Sequence, residues 1–450
     1  MSIQNLYRLG QHSFGVFSAQ MNIAGQNIAN AATPGYSRRR LTLATIGPPG
    51  RGPQFGSSFP TVGVGVSAER LERMRDGLLV SAADDARTRF GGADEEARLL
   101  GAVEGLFGVG SGASLQDTMG DFWNAWSDLA GNPTDTGVRT SLLSQAETVA
   151  GTLNDLDSNL NRLAGETQTA LGESVGEVNG LLDEIAALNT QIRAAQAAGS
   201  PDLAAEDRRD AAVAALSAYV PVSVSEESDG YAVTIDGMIA VQGDQALGLT
   251  LDTAPGEPAS VRFEGTTVAF SASDGKVGAQ LRTLNETIPG TRDALNSFTE
   301  ALVTEVNAKH AAGFGLDGST GLNFFDPAGL TAGSIQLSSD LDDPAKIAAS
   351  GVLGELGNSD VALALAKLRE GFDQQVVDLV SGVGTQLRAA QTAANGHASV
   401  VSHLDAMARG VSGVSIDEEM TYLLEAQQAF AAAARIINTA EEMMDTLLAL

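Results

Sequence analysis

The residues of this sequence best suited to chemistry sit in surroundings that do not fit that chemistry. Gly313-Phe314-Gly315-Leu316-Asp317-Gly318 has the GxGxxG spacing that lets a backbone approach a dinucleotide pyrophosphate. That role needs a strand before the glycines and a helix N-terminus after them. Here a long helical pattern precedes and the loop-like stretch Ser319–Pro327 follows. Gly172-Glu173-Ser174-Val175-Gly176 spells GxSxG, but a nucleophile elbow needs a strand-to-helix turn, and these residues lie inside a helical pattern. The histidines are His12, His310, His397 and His403; none forms HExxH, and the six-residue step from His397 to His403 is poor helical spacing for a shared metal. Asp340, Asp342 and Asp343 lack the glycine and terminal glutamate of an EF-hand loop. With no cysteine, thiolate metal sites and a disulfide framework are excluded. The sequence therefore predicts no catalytic, metal or cofactor site and a chain that is not an enzyme. A secreted hydrolase drawing on the acidic residues is the alternative from a different class, and no motif supports it.

Composition narrows the field further. The 450 residues include 56 Asp and Glu against 27 Lys and Arg, a formal charge of −29. Free nucleic acid is a poor partner for such a surface. The charge is uneven: residues 1–90 hold ten Lys and Arg and five Asp and Glu, net +5, and the other 360 are net −34. The acidic part also serves as a plain solubility device. Hydrophobic residues are 43% of the chain and aromatics 5%, which predicts a buried core made from long helices packed along narrow seams. No cleavable signal is expected from Met1-Ser2-Ile3-Gln4-Asn5. The uncharged stretch 10–37 is interrupted by Gln11, His12, Gln20, Asn22, Gln26, Asn27 and Asn30, so membrane insertion is not expected.

The elements that carry the strongest pattern are the two ends. Alternating steps of four and three from Ile3 reach Tyr7, Gly10, Phe14, Phe17, Met21, Ala24 and Ile28, a heptad seam with one gap at Gly10. Thr33-Pro34-Gly35-Tyr36 then reads as a type II turn. At the other end Ser415-Ile416-Asp417-Glu418 reads as a capping box, with acids in the first turn where the helix dipole favours them. The seam there runs Ile416, Met420, Leu423, Gln427, Phe430, Ala434, Ile437, Glu441, Met444 and Leu448, and the helix from 415 to 450 would be about 50 Å long. Arg8, Arg38, Arg39 and Arg40 without acids at one end match seven acids at the other, so the ends are expected to pair. A two-in-seven stripe leaves apolar edges for neighbouring copies to cover. The expected assembly interface is Ile3, Tyr7, Phe14, Phe17, Met21, Ile28, Met420, Leu423, Phe430, Ile437, Met444 and Leu448, ordered only in the assembly. Heptads specify helix contact without fixing oligomeric state, so an intramolecular coiled coil closing a monomer, as in a secretion-tip protein, is the competing reading.

Between the ends, 41–66 reads as a Gly- and Pro-rich loop (Gly47-Pro48-Pro49-Gly50, then Gly63-Val64-Gly65-Val66) with a short strand or hairpin. Helical patterns cover 69–107 and 115–130, the second with Phe122, Trp123 and Trp126 as core residues. No proline falls between 134 and 200, which predicts one very long helix or two nearly collinear ones, and Ser200-Pro201 starts another that ends near Tyr219-Val220-Pro221. Residues 220–273 alternate β-formers with Asp229-Gly230, Asp236-Gly237, Gly243-Asp244 and Glu264-Gly265, the signature of hairpins. Helix resumes at 274, 313–345 is irregular, and helices return at 359–392 and 393–409. The expected fold is mainly α with a small β insert: a long helical bundle or coiled-coil body, paired N- and C-terminal helices, and radial layering. Its expected domains are a terminal coiled-coil assembly domain (1–40 and 412–450), a helical body (41–218 and 275–411) and a small β-rich outer insert (219–274).

Both ends resemble one known family. Asn27-Ile28-Ala29-Asn30-Ala31-Ala32-Thr33-Pro34-Gly35-Tyr36-Ser37-Arg38 is similar to the ANxxTPGYxR signature of the rod, hook and junction axial proteins of the bacterial flagellum, with Asn30, Thr33, Pro34, Gly35, Tyr36 and Arg38 as its signature residues. Gly413–Glu419, Gln427–Phe430 and Thr439–Leu448 resemble the terminal helix of the same proteins. Asp207-Arg208-Arg209-Asp210, Gly275-Lys276-Val277-Gly278 and Glu305–His310 running into Gly313–Gly318 resemble the hook-associated branch, in a chain short for that branch. The resemblance implies a structural subunit at the hook–filament junction, exported through the flagellar type III apparatus and self-assembling through its terminal helices. It implies contacts with the flagellar hook protein and hook-associated protein 3, and a cytosolic export chaperone on the C-terminal helix. A hook or distal-rod protein is the alternative within the family, and it would devote the middle of the chain to β structure.

Overall fold

Freedom from proline between residues 134 and 200 is realised as a single helix, α4 (Thr136–Ala197), in the computed structural model of the chain. The structure describes residues 3–46, 65–108, 114–227, 230–254 and 257–448. The loop expected around Gly47–Gly50 and Gly63-Val64, the turn residue Asp229 and the final Ala449-Leu450 lie outside them. The other α-helices are α1 (Ile3–Ala29), α2 (Gly77–Leu106), α3 (Leu115–Gly131), α5 (Leu203–Tyr219), α6 (Gly275–Arg282), α7 (Ile288–Ala311), α8 (Asp360–Ala366), α9 (Arg369–Ser412) and α10 (Ile416–Leu448). No described helix is long and apolar enough to cross a membrane.

Several boundaries differ from the sequence reading, each for a local reason. Residues 65–73 form a strand, β2 (Gly65–Arg73), antiparallel to β1 (Arg39–Ile46), so the helix expected from 69 begins at Gly77. Asp202, rather than Ser200, caps α5: its Oδ1 accepts the Ala205 N–H at 3.0 Å. The capping box forms at Ser114, whose hydroxyl accepts the Asp117 N–H while the Asp117 carboxylate accepts the Ser114 N–H. The expected helices 359–392 and 393–409 are divided elsewhere, into the short α8 and one continuous α9. Between α6 and α7 the helix widens into a π turn at Thr283–Thr287, one residue short of Pro289, which has no N–H to offer.

The chain forms two compact units, one of Met1–Asp84, Glu184–Ala214 and Val400–Leu450, the other of Asp85–Asp183 and Ala215–Ser399. The second contains the main core. Phe122, Trp123 and Trp126 of α3 are fully buried against Phe324, Phe325 and Phe372, together with the α4 stripe Leu142, Val149, Leu153 and Leu160 and the α7 stripe Leu295, Leu302 and Val306. The irregular chain after α7 is held by buried polar side chains. Asn307 Oδ1 accepts the Phe324 and Phe325 N–H groups, and its amide donates to the Phe325 carbonyl. Arg139 donates to the Pro133 and Ile347 carbonyls, and burial lowers its pKa. Glycine is required where α2 meets the end of α5: a Cβ on Gly91 would lie 2.2 Å from the Ala218 carbonyl oxygen.

The same unit carries the remaining strands. β3 (Val222–Glu227), β4 (Gly230–Ile235), β5 (Met238–Gln242) and β6 (Gln245–Ala246) form an antiparallel sheet in that order, and β7 (Leu249–Asp252) pairs with β8 (Ser260–Phe263). The β4–β5 turn has Asp236 at φ +49° and Gly237 at φ +79°, both central residues left-handed as a two-residue hairpin requires.

Candidate assembly interface

In the unit holding both termini, α1 and α10 pair antiparallel. Gly10 faces Ile437 and Ala433, the Phe14 ring packs tilted against Phe430 with centroids 4.2 Å apart, and Asn27 reaches Glu419. On α10 the buried positions are Glu419, Ala426, Ala433 and Ala440, every seventh residue, flanked by half-buried Leu423, Phe430, Ile437 and Met444. This is a regular heptad, displaced by one helical flank from the expected one. The two share Leu423, Phe430, Ile437 and Met444. Met420 and Leu448 of the expected set are instead 45% and 83% exposed, as is Ile416 at 52%. The cause is side-chain size. Alanines let two backbones approach closely, so they line the contact, although a count of large apolar residues passes over them. Gly10 has the same role on α1: a Cβ there would lie 2.6 Å from the Ile437 side chain. The apparent gap in the N-terminal seam is a point of close approach.

On α1, Gly10, Val16, Ala24 and Asn27 are buried, Ile3, Tyr7, Phe17, Met21 and Ile28 are half-buried, and the Phe14 ring stays 39% exposed despite its partner. The inner seam is thus closed between α1 and α10 of one chain. What stays open beside the seam is the flank carrying Met420 and Leu424, one turn apart; Ile416, Tyr422, Met443 and Leu447 are also exposed, at other positions around α10.

The signature residues form the corner between α1 and β1. Asn30 ends α1: its amide donates to the Gln26 carbonyl and its Oδ1 accepts the Thr33 hydroxyl. The Tyr36 N–H donates to the Thr33 carbonyl at 3.2 Å and Gly35 sits at φ +79°, a type II turn with Pro34 at its second position. Nothing lies within 4 Å of a Cβ built on Gly35, so backbone conformation, not space, requires glycine there. Beyond the turn the Tyr36 hydroxyl donates to Asn27 Oδ1 at 2.8 Å, and burial raises its pKa. Arg38 Nε donates to Glu419 Oε1 at 2.7 Å and Nη1 to Glu418 Oε2 at 2.9 Å, with the guanidinium 5.5 Å from the Tyr422 ring centroid. Burial opposes the Arg38 charge, and the two carboxylates outweigh it, holding its pKa above the usual arginine value. The expected capping box at Ser415 is only half made: Ser415 accepts the Glu418 N–H at 3.5 Å, and the Glu418 carboxylate turns to Arg38.

A second charged cluster sits in the same unit. Arg73 of β2 binds Glu206, Asp207 and Asp210 of α5 at 2.8, 3.0 and 2.9 Å, and Arg75 reaches Asp210 at 3.3 Å. Burial opposes the Arg73 charge here too, and the three carboxylates still hold its pKa above the usual value. Arg209 of the Asp207–Asp210 run donates to Asn189 of α4 at 3.0 Å. Sequence reasoning singles out that run only by resemblance; its partner Arg73 carries no signal, because the two are 134 positions apart.

Of the other motifs, Gly172–Gly176 lies inside α4, and Gly313–Gly318 is a loop after α7 in which a Cβ on Gly315 would meet the Ala345 carbonyl oxygen. Among the described residues no cluster of His, Asp and Glu has the makings of a metal site.

Comparison with known proteins gives the family. The family model for the flagellar hook-associated protein FlgK helical domain matches residues 100–325, half of the chain, and that for the flagellar basal body rod FlgEFG protein C-terminal matches residues 411–450. The chain is 26% identical over 481 aligned positions to flagellar hook-associated protein 1 of Bacillus subtilis, covering 96% of this chain and 95% of that protein. It is 23% identical to the protein of the same name in Escherichia coli, covering 96% of each. The solved FlgK from Burkholderia pseudomallei aligns with 55% of this chain and 46% of its own, at 22% identity and a TM-score of 0.49.

Proposed function

Because this chain belongs to the flagellar hook-associated protein FlgK family, we propose that it is the structural subunit joining hook to filament, and that it assembles with other copies through the outer flank of α10 after export by the flagellar type III apparatus. A structural role in the flagellum comes with the family; the location, the assembly surface and the export route are the proposal. The observation that carries it is the exposed apolar flank of α10 beside a seam that is already closed. Met420 and Leu424, one turn apart, are 45% and 53% exposed on a helix whose neighbouring face is packed against α1, and large apolar side chains left exposed together on a helix call for a partner. The flagellar hook protein and hook-associated protein 3 are the proposed neighbours. A cytosolic chaperone that covers this flank before export completes the reading.

The full-length chain carrying a fluorescent tag is expected to mark a single band at the base of each filament. Met420→Asp and Leu424→Asp should leave the far-UV helical signal unchanged and abolish incorporation into flagella. Label spread along the hook or rod, or normal incorporation of both variants, would overturn the proposal.

A further inference from the structure

The apolar seam between α1 and α10 does not define its own alignment. Ala426, Ala433 and Ala440 recur every seven residues, as do Phe430, Ile437 and Met444. Sliding α10 by one heptad would therefore lay alanine on alanine and large residue on large residue. Gly10 is filled by an Ile437 side chain that Met444 or Phe430 would replace after a slip. A repeat of this kind needs a non-repeating element to choose between alignments.

The structure supplies one near the start of α10. Glu419 is 3% exposed, at the first buried position of the α10 heptad, where the next three buried positions are alanine. Its Oε2 accepts the Asn27 amide at 3.0 Å and its Oε1 accepts Arg38 Nε at 2.7 Å. Asn27 is 1% exposed and fully used: its amide also donates to the Arg39 carbonyl, while its Oδ1 accepts the Arg39 N–H and the Tyr36 hydroxyl. After a slip in the direction that brings Ala426 opposite Asn27, that amide and the Arg38 guanidinium would face a methyl group. A buried donor without a partner is costly in a way that a displaced apolar contact is not. In the opposite direction the position would be taken by residues before Ile416, outside the helix.

We propose that Asn27, Arg38 and Glu419 form a register lock: one buried polar triad that selects the observed alignment of the terminal helices from those a heptad away, and so decides which residues of α10 face outward. The triad also joins that alignment to the Thr33–Tyr36 turn, because the Tyr36 hydroxyl donates to the same Asn27 side chain. This inference concerns the single chain and is independent of where the protein stands in the flagellum.

Because the chain has no cysteine, introduced pairs report alignment cleanly. Three double variants of the full-length chain are oxidised at dilution and their monomeric cross-linked bands compared. Phe14→Cys with Phe430→Cys probes the observed register, and Phe14→Cys with Leu423→Cys or Ile437→Cys probes the slipped ones. Without further change only the first pair should cross-link, and adding Glu419→Ala should raise a slipped pair at least tenfold. Glu419→Gln keeps an acceptor for Asn27 and should give an intermediate yield, with the tryptophan signal of the body as the control for folding. Cross-linking confined to the Phe14–Phe430 pair in both Glu419 variants would overturn the lock. So would loss of all three cross-links, because the triad would then hold the helices together without choosing their alignment.

Discussion

His310 is buried, and its surroundings fix its charge state. Its Nδ1 donates to the Leu322 carbonyl at 2.8 Å, its Nε2 accepts the Ala348 N–H at 3.0 Å, and the ring lies against Trp126 and Phe324. An acceptor at Nε2 requires the neutral ring. Burial in this aromatic setting lowers its pKa from 6.5 to about 4, against a smaller upward effect of the Leu322 bond. The unfolded chain therefore takes up a proton near pH 6.5 that the folded chain refuses until about pH 4. Stability from this site is complete above the first value and is lost as pH falls toward the second. Between pH 7 and pH 5 the natural protein should lose about 2 kcal/mol more stability than His310→Gln, taking about 1.4 kcal/mol per pKa unit. Urea titrations followed by tryptophan emission measure the difference, and equal losses would refute a neutral buried His310.

At the scale of elements, the α1–α10 pair depends on small residues at the contact. Ala433 is 2% exposed, and its carbonyl lies 3.5 Å from where a Gly10 Cβ would stand. Ala433→Leu adds three carbons to a seam with no room for them, and overpacking of this kind costs about 1–3 kcal/mol. The cost should fall on the terminal pair alone. Hydrogen exchange in α1 and α10 is expected to quicken at least tenfold while the urea midpoint of the tryptophan-bearing unit stays unchanged. A fall in that midpoint instead would mean that the terminal pair has no separate stability. The same contrast explains what the sequence discloses. Large apolar residues at helical spacing reveal the existence of α1, α4, α7 and α10, and turn dipeptides such as Asp236-Gly237 reveal the hairpins, because both signals are local. Alanine and glycine carry no hydrophobic stripe, so the true contact face of α10 stays hidden one flank away. Pairings across the chain, such as Arg73 with Asp207 and Asp210 or Arg38 with Glu419, leave no spacing to read. The sequence reading divides α9 at the wrong place because its polar surface offers no stop signal and its division from α8 depends on tertiary packing.

At the scale of the whole molecule, a charge of −29 has to be reconciled with the proposed association between like copies. One route is electrostatic: the acid-poor N-terminal segment of one copy would meet the acidic C-terminal helix of another. The structure gives that route little to work with. Arg38 is bound to Glu418 and Glu419, and Arg39 lies over the Tyr36 ring near Asp207, all within one chain. Arg8 and Arg40 are the exposed members of the set. The apolar flank around Met420 and Leu424 is the stronger attraction, and it is insensitive to salt, whereas repulsion between acidic surfaces is screened over about 10 Å at 0.1 M salt. Self-association should therefore strengthen as salt rises from about 20 to 500 mM, against the trend of a charge-steered complex. Sedimentation velocity on the purified chain would measure this, and Met420→Asp should remove the salt-promoted species. Oligomers that dissolve as salt is added would shift the interface from the apolar flank to the arginines, and would refute the surface assigned to α10.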